Sequence, residues 1–123
     1  MNKVLDDQKK FMVACGQSVD TYNPDQFKMY RGLIGEEVGE LVTAIQSNDR
    51  VEQLDALIDL LVVTAGAIHS LGADGNSAWD EVMRTNFAKV DPVTGKVRRR
   101  EDGKILKPDN WQPPQLKPFV QNV

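Results

Sequence analysis

One cysteine, Cys15, and one histidine, His69, are all that the 123 residues hold of either type. A single cysteine excludes an internal disulfide, and the two together leave no Cys/His cluster to hold zinc. Long apolar runs are also missing: the longest, LLVVTAGAI, falls far short of the roughly 20 residues that a membrane-spanning helix needs. The opening stretch MNKVLDDQKKFMVACG breaks its apolar residues with Asp6, Asp7 and Gln8, so no secretory signal is expected. Nor is there an excess of positive charge. A net charge of -3 gives no reason to expect a nucleic-acid partner. What is present is the composition of an ordinary globular domain, 27% charged and 41% hydrophobic, expected in the cytoplasm with no membrane partner. The length fits one domain, near the size at which oligomerisation often supplies extra burial.

Hydrophobic spacing predicts four helices. In the first, Val4, Gln8, Phe11 and Cys15 repeat at helical intervals with Leu5 and Met12 beside them, Cys15 is expected in the core, and Gly16 ends the segment. The second starts at NPDQ, where Asn23 can cap, Pro24 suits the first turn and Gln26 stands where a capping-box partner belongs. Its core stripe reads Phe27, Ile34, Val38, Leu41 and Ile45. Asp49 can cap the third helix, with Gly72 as a left-handed terminator. Ser77 is the expected cap of the fourth, which turns Trp79, Met83, Phe87 and Val90 inward and is closed by Pro92.

Beyond residue 92 the pattern changes. TGKVRRREDGKILKP has two short strand-like pieces around Asp102 and Gly103, which predicts a β-hairpin, and PDNWQPPQLKPFVQNV is Pro-rich and extended. The expected organisation is an all-α four-helix core over 1–92, with a hairpin and tail over 93–123 packed on the same domain or on a neighbouring subunit through Trp111 and Phe119.

The two most apolar helices carry six carboxylates. At about 100° per residue, Glu36, Glu37 and Glu40 fall within an arc of about 100° on the second helix, and Glu52, Asp55 and Asp59 within about 60° on the third. Leu54, Leu57, Ile58, Leu61, Val62, Ala65 and Ile68 cover most of the rest of the third helix, which marks it as central. Burying unpaired carboxylates is costly, and like charges one turn apart repel. Between residues 31 and 63 the only basic residues are Arg31 and Arg50, against seven acids. A hard divalent cation with oxygen ligands, magnesium or manganese, would compensate. A charged edge of this kind can also be merely solvated, and Glu52 can serve as the capping-box partner of Asp49.

EEVGE followed by EQLD resembles the EExxE and ExxD signature of the all-α NTP pyrophosphohydrolases, the superfamily of MazG, dimeric dUTPases and phosphoribosyl-ATP pyrophosphohydrolase. YRGLIGEEVGELVTAI, DALIDLLVVTAGAIHSLG, TNFAKVD and DGKILKP follow in order, so the resemblance covers roughly residues 25 to 115. It implies hydrolysis of a nucleoside triphosphate to the monophosphate and pyrophosphate with magnesium or manganese. By motif position it implies Glu36, Glu40, Glu52 and Asp55 as metal ligands and Glu37 as the base, with Asp59 a further ligand or a supporting group. TNFAK matches the SN-x-x-K element except at its first residue, which makes Asn86 and Lys89 candidates for substrate contact. Lys104 and Lys107 are further candidates within a segment, 84–107, of eight basic residues against three acids. Phe11, Tyr30 and Trp79 could stack on a base. The resemblance further implies a homodimer or homotetramer.

The stretch LIDLLVV lacks the Tyr-His that phosphoribosyl-ATP pyrophosphohydrolases carry there, which argues against histidine biosynthesis and leaves dUTP, dCTP or a non-standard nucleotide open. A competing reading is a non-catalytic helical module of the same fold. Retention of Glu36, Glu37, Glu40, Glu52 and Asp55 argues for the enzyme. A calcium-binding bundle would need a loop of alternating Asp or Asn ligands, which is absent.

Overall fold

Four helices account for most of the computed structural model, which describes residues 2–120: α1 (Lys3–Ala14), α2 (Pro24–Gln46), α3 (Arg50–Ser70) and α4 (Gly75–Phe87), with a single 3-10 turn at Lys117–Phe119. The all-α expectation holds. Met1 and the last three residues of the expected 93–123 tail lie outside the described residues.

Each helix starts on a side chain that satisfies its free N–H groups. The Asn2 side chain accepts from the N–H groups of Val4 and Leu5, Asn23 from Gln26, and Asp49 from Glu52. The fourth cap differs from expectation. Asp74, not Ser77, caps α4, accepting from the Ser77 N–H at 3.1 Å and the Ser77 hydroxyl at 2.7 Å. Gln26 also departs from the capping box: its side chain clasps both backbone groups of Ser18 and donates to the Ser70 hydroxyl at 2.9 Å. The Asn23 N–H that a capping box would occupy goes instead to the Ser70 carbonyl. Gly72 ends α3 in the left-handed region at φ 71°, where a Cβ would also meet the backbone of Thr21 and Tyr22.

The helices α2 and α3 form an antiparallel pair around a short turn whose tip, Asn48, holds φ 52°. The Tyr30 ring lies directly against Gly66, in space that any Cβ at position 66 would fill. Around it Met12, Tyr30, Val63 and Ala67 form the buried core, with Val19, Phe27, Leu33, Ile34 and Leu60 packed alongside. The Tyr30 hydroxyl donates to Gln17 Oε1 and receives the Gln8 side-chain amide, so its polar end is satisfied in the interior. That burial removes Tyr30 from the stacking candidates.

The inward face of α1 is Leu5, Gln8 and Met12, whereas Phe11 is 62% exposed and Val4 and Cys15 are exposed as well. The expected stripe was one edge too far round, because a broad apolar stripe satisfies the helical period along either edge and only the docking partner, α3, selects one. The expected core positions Val38, Ile45, Trp79 and Phe87 are likewise exposed in the single chain.

The expected β-hairpin does not form, and no strand occurs among the described residues. Arg99 and Ile105 make one isolated bridge and Val90 and Val97 another, with Gly103 at φ 88° in the turn. Reversal occurs where Asp102 and Gly103 predict it. The flanking arms run mostly exposed, without an apolar face to pack on the helices, and a lone two-stranded ribbon is marginal. The tail after Pro108 is a strap along α4. Trp111 Nε1 donates to the Thr85 carbonyl at 2.7 Å, the Gln115 N–H to Glu81 Oε2 at 2.7 Å, and the Asp74 N–H to the Phe119 carbonyl at 2.9 Å. Hydrogen bonds from Arg84 and Gln115 hold the Glu81 carboxyl down at about 2, so this anchor stays ionised.

The Gly66→Ala substitution forces Tyr30 out of its seat and should cost about 1–3 kcal/mol, as overpacking does. Urea unfolding should show a lower midpoint with an unchanged slope. A midpoint equal to wild type would mean that the ring moves aside without cost.

Candidate metal centre

Residues equally far from the tip of an antiparallel helical hairpin face each other at the same height. Glu37 and Asp59 are each eleven positions from Asn48, and Glu40 lies one turn from Glu37 toward the tip. Accordingly, Glu37, Glu40 and Asp59 converge, each placing a carboxylate oxygen within 4.8 Å of the others. Among the described residues this is the one group of three or more possible ligands that come together in this way. Glu37 and Asp59 are half-buried and Glu40 is exposed.

The electrostatics are unfavourable as they stand. Glu37 Oε2 is shut off from solvent and has no hydrogen-bond partner. Burial, then the neighbouring Glu40, then Asp59 and Asp55 hold the Glu37 carboxyl above the usual carboxylate range. No basic side chain relieves the cluster. The ion pairs among the described residues join Lys3 to Asp7, Lys9 to Asp20, Arg84 to Glu81 and Arg100 to Asp102, all elsewhere. Three converging carboxylates with an orphaned buried oxygen form a donor set that suits a hard divalent cation.

The six sequence-predicted carboxylates therefore divide. Glu37, Glu40 and Asp59 come together, and Asp55 is close enough to push on Glu37. Glu36 and Glu52 are exposed and outside the convergent group. Glu52 sits too near the tip, level with Ala44 rather than with Glu37. Motif spacing alone missed the central position of Asp59. Counting outward from the turn would have found it.

Among the substrate candidates, Lys89 Nζ donates to Asn86 Oδ1 at 3.2 Å and stands 5.4 Å from the Trp111 ring centroid. Lys107 Nζ lies 4.5 Å from the same ring. Lys104 is exposed in the 100–104 turn, where its backbone N–H goes to Asp102 Oδ1. Phe11 and Trp79 are exposed.

The model of the phosphoribosyl-ATP pyrophosphohydrolase family matches residues 8–86, the stretch that holds the whole acid cluster. The chain belongs to this family. The chain is also similar to an uncharacterized protein of Acanthamoeba polyphaga mimivirus, 35% identical over 69 residues. That match covers 54% of this chain, which spans 28% of the length of that relative. The family match stops short of Lys89 and of the strap, so all of the basic segment after Asn86 lies beyond it. No helix of the described residues is long and apolar enough to cross a membrane.

The raised Glu37 sets the sign of a pH effect. From its ordinary value of 4.5 upward to its folded value, the native state holds more protons at this site than the unfolded chain does. Its contribution to stability therefore falls as pH rises through that window and stays unfavourable above it. In EDTA, Glu37→Gln should become the more stable protein relative to wild type as pH rises toward neutrality, by thermal denaturation. Added magnesium should narrow the gap. A gap that closes with rising pH in EDTA would contradict the burial of this carboxylate.

Proposed function

We propose that this protein is a divalent-cation-dependent nucleoside triphosphate pyrophosphohydrolase that produces a nucleoside monophosphate and pyrophosphate. The observation that carries the reading is the buried, unpartnered Glu37 Oε2 within the Glu37, Glu40 and Asp59 cluster, on a chain of pyrophosphohydrolase family. In this reading those three hold magnesium or manganese, with Asp55 beside them. A cation there would neutralise charge on phosphate oxygens and acidify a bound water.

The chain's own groups supply the rest. Glu36, exposed at the neighbouring position, has a free carboxylate to accept the proton of the attacking water. This exchanges the roles that motif position gives to Glu36 and Glu37; what supports the exchange is that the Glu37 oxygen without a donor lies inside the convergent group, whereas Glu36 lies outside it. Glu52 gives its backbone N–H to the Asp49 cap at the start of α3, and its exposed carboxylate is the ligand position of the motif nearest the tip. Asn86 and Lys89, with Lys104 and Lys107 as further contacts, meet the phosphates. A house-cleaning role on the cytoplasmic nucleotide pool fits this chemistry.

The apolar faces support a homodimer or homotetramer. Val38, Val42 and Ile45 on α2 are 45%, 47% and 53% exposed, and Leu54, Leu57, Ile58 and Leu61 on α3 are 61%, 46%, 50% and 49% exposed. These stripes repeat at helical spacing on the same two helices as the acids, and a second copy of this chain is the surface they match.

Incubation with magnesium and a panel of canonical and modified nucleoside triphosphates should release pyrophosphate from at least one. Release from none, with metal binding confirmed, would favour a non-catalytic module. Glu40→Gln and Asp59→Asn should lose both metal affinity and turnover. Glu36→Gln should keep metal affinity while turnover falls about 10²–10⁴-fold. If Glu37→Gln instead keeps the metal and loses turnover, the base is Glu37.

A further inference from the structure

Next to the end of α4 is a cleft of about 270 Å³, lined by Lys89, Val90, Arg98, Pro108 and Asn110 among others. Its electrostatic character is opposite to that of the acid cluster. Lys89 and Arg98 line it, Lys107 precedes the lining residue Pro108, and none of the three pairs with a carboxylate among the described residues. Asp91 also lines it, but its Oδ1 accepts the N–H groups of Val93 and Thr94 at 2.8 and 3.3 Å and is turned into its own loop.

The geometry of Trp111 explains how two like charges are kept side by side. The last turn of α4 tightens, sending the Lys89 N–H to the Asn86 carbonyl at 3.1 Å. That frees the Thr85 carbonyl, which Trp111 Nε1 takes. The indole so fixed has Lys89 Nζ at 5.4 Å and Lys107 Nζ at 4.5 Å from its centroid. The two ammonium groups can be no farther apart than the sum of those distances. Cation–π attraction holds each one to the ring, and neither forms an ion pair with a carboxylate among the described residues. Arg98 adds a planar donor that suits phosphate oxygens.

We propose that this cleft binds a condensed phosphate chain through Lys89, Arg98 and Lys107, with Trp111 as the positioning residue that presents the two lysines. Two or three linked phosphates match several cations spread around one cleft, where a single small anion would meet only some of them. The proposal deepens the pyrophosphohydrolase reading, since it would hold the polyphosphate end of a nucleotide or the released pyrophosphate. It rests on that reading for the identity of the chain's source and not for the binding.

Isothermal titration of the full chain with sodium tripolyphosphate in EDTA tests it, because without a divalent cation the acid cluster repels the same anion. Wild type should bind, with affinity falling as salt is raised. Lys89→Gln and Arg98→Gln should each weaken binding at least about tenfold and flatten the salt dependence. Trp111→Leu should weaken it similarly while helical circular dichroism is retained, and Trp111→Phe, which keeps a ring, should restore part of it. Glu40→Gln should bind at least as tightly as wild type. Absence of binding, binding unchanged in the Lys89→Gln, Arg98→Gln double variant, or equal affinity for orthophosphate would each overturn the proposal. Since turnover is not read, failure of the nucleotide panel would leave this result standing, and the reverse also holds.

Discussion

The contact of the Tyr30 ring with Gly66 sets the relation between α2 and α3, and most of the molecule follows from it. Tyr30 precedes Glu37 by seven residues, and Gly66 follows Asp59 by seven, so the contact and the carboxylate pair occupy the same faces two turns apart. A glycine under an aromatic ring lets two backbones approach closely at one level. With the turn at Asn48 closing the other end, the hairpin is pinned on both sides of the acids. Their convergence is thus imposed by apolar packing rather than by any attraction among themselves.

This explains how an unfavourable cluster can persist. Core burial around Met12, Tyr30, Val63 and Ala67 provides the stabilisation, and the acids lie at the edge of it. Glu37 responds by keeping its proton more readily than an ordinary glutamate. Basic charge is placed elsewhere, after the fourth helix, where no carboxylate meets Lys89 or Arg98. The carboxylates of the cluster and the unpaired cations Lys89 and Arg98 thus occupy two regions of the chain instead of pairing with one another.

Much of this was legible in the sequence. Helical period, Asn23, Asp49 and Gly72 located three helix boundaries, since capping is local chemistry that a few residues decide. The acid edges were visible for the same reason. Three features were not. The inward edge of α1 depends on how it docks against α3, which put Leu5 and Met12 inside and Phe11 and Cys15 outside. Asp74 outcompeted Ser77 as a cap because its carboxylate reaches both the N–H and the hydroxyl of Ser77. The hairpin expected from Asp102 and Gly103 turned without forming a ladder, because strand pairing needs a surface to pack on. The convergence of Asp59 with Glu37 and Glu40 does not show in motif spacing along one helix, because the distance that brings them together runs across two.

The strap along α4 has a consequence for how the chain can vary in length. Its three attachments, at Thr85, Glu81 and Asp74, are fixed to successive points of a helix, so the tail between Trp111 and Phe119 has a single register. Losing or gaining one residue there would misplace at least one attachment. Between Pro92 and Lys107 the backbone is held mainly by isolated bridges and turns, and loops of that kind absorb insertions at small entropic cost. Length drift among descendants of this sequence should therefore collect in the exposed turn and spare the strap.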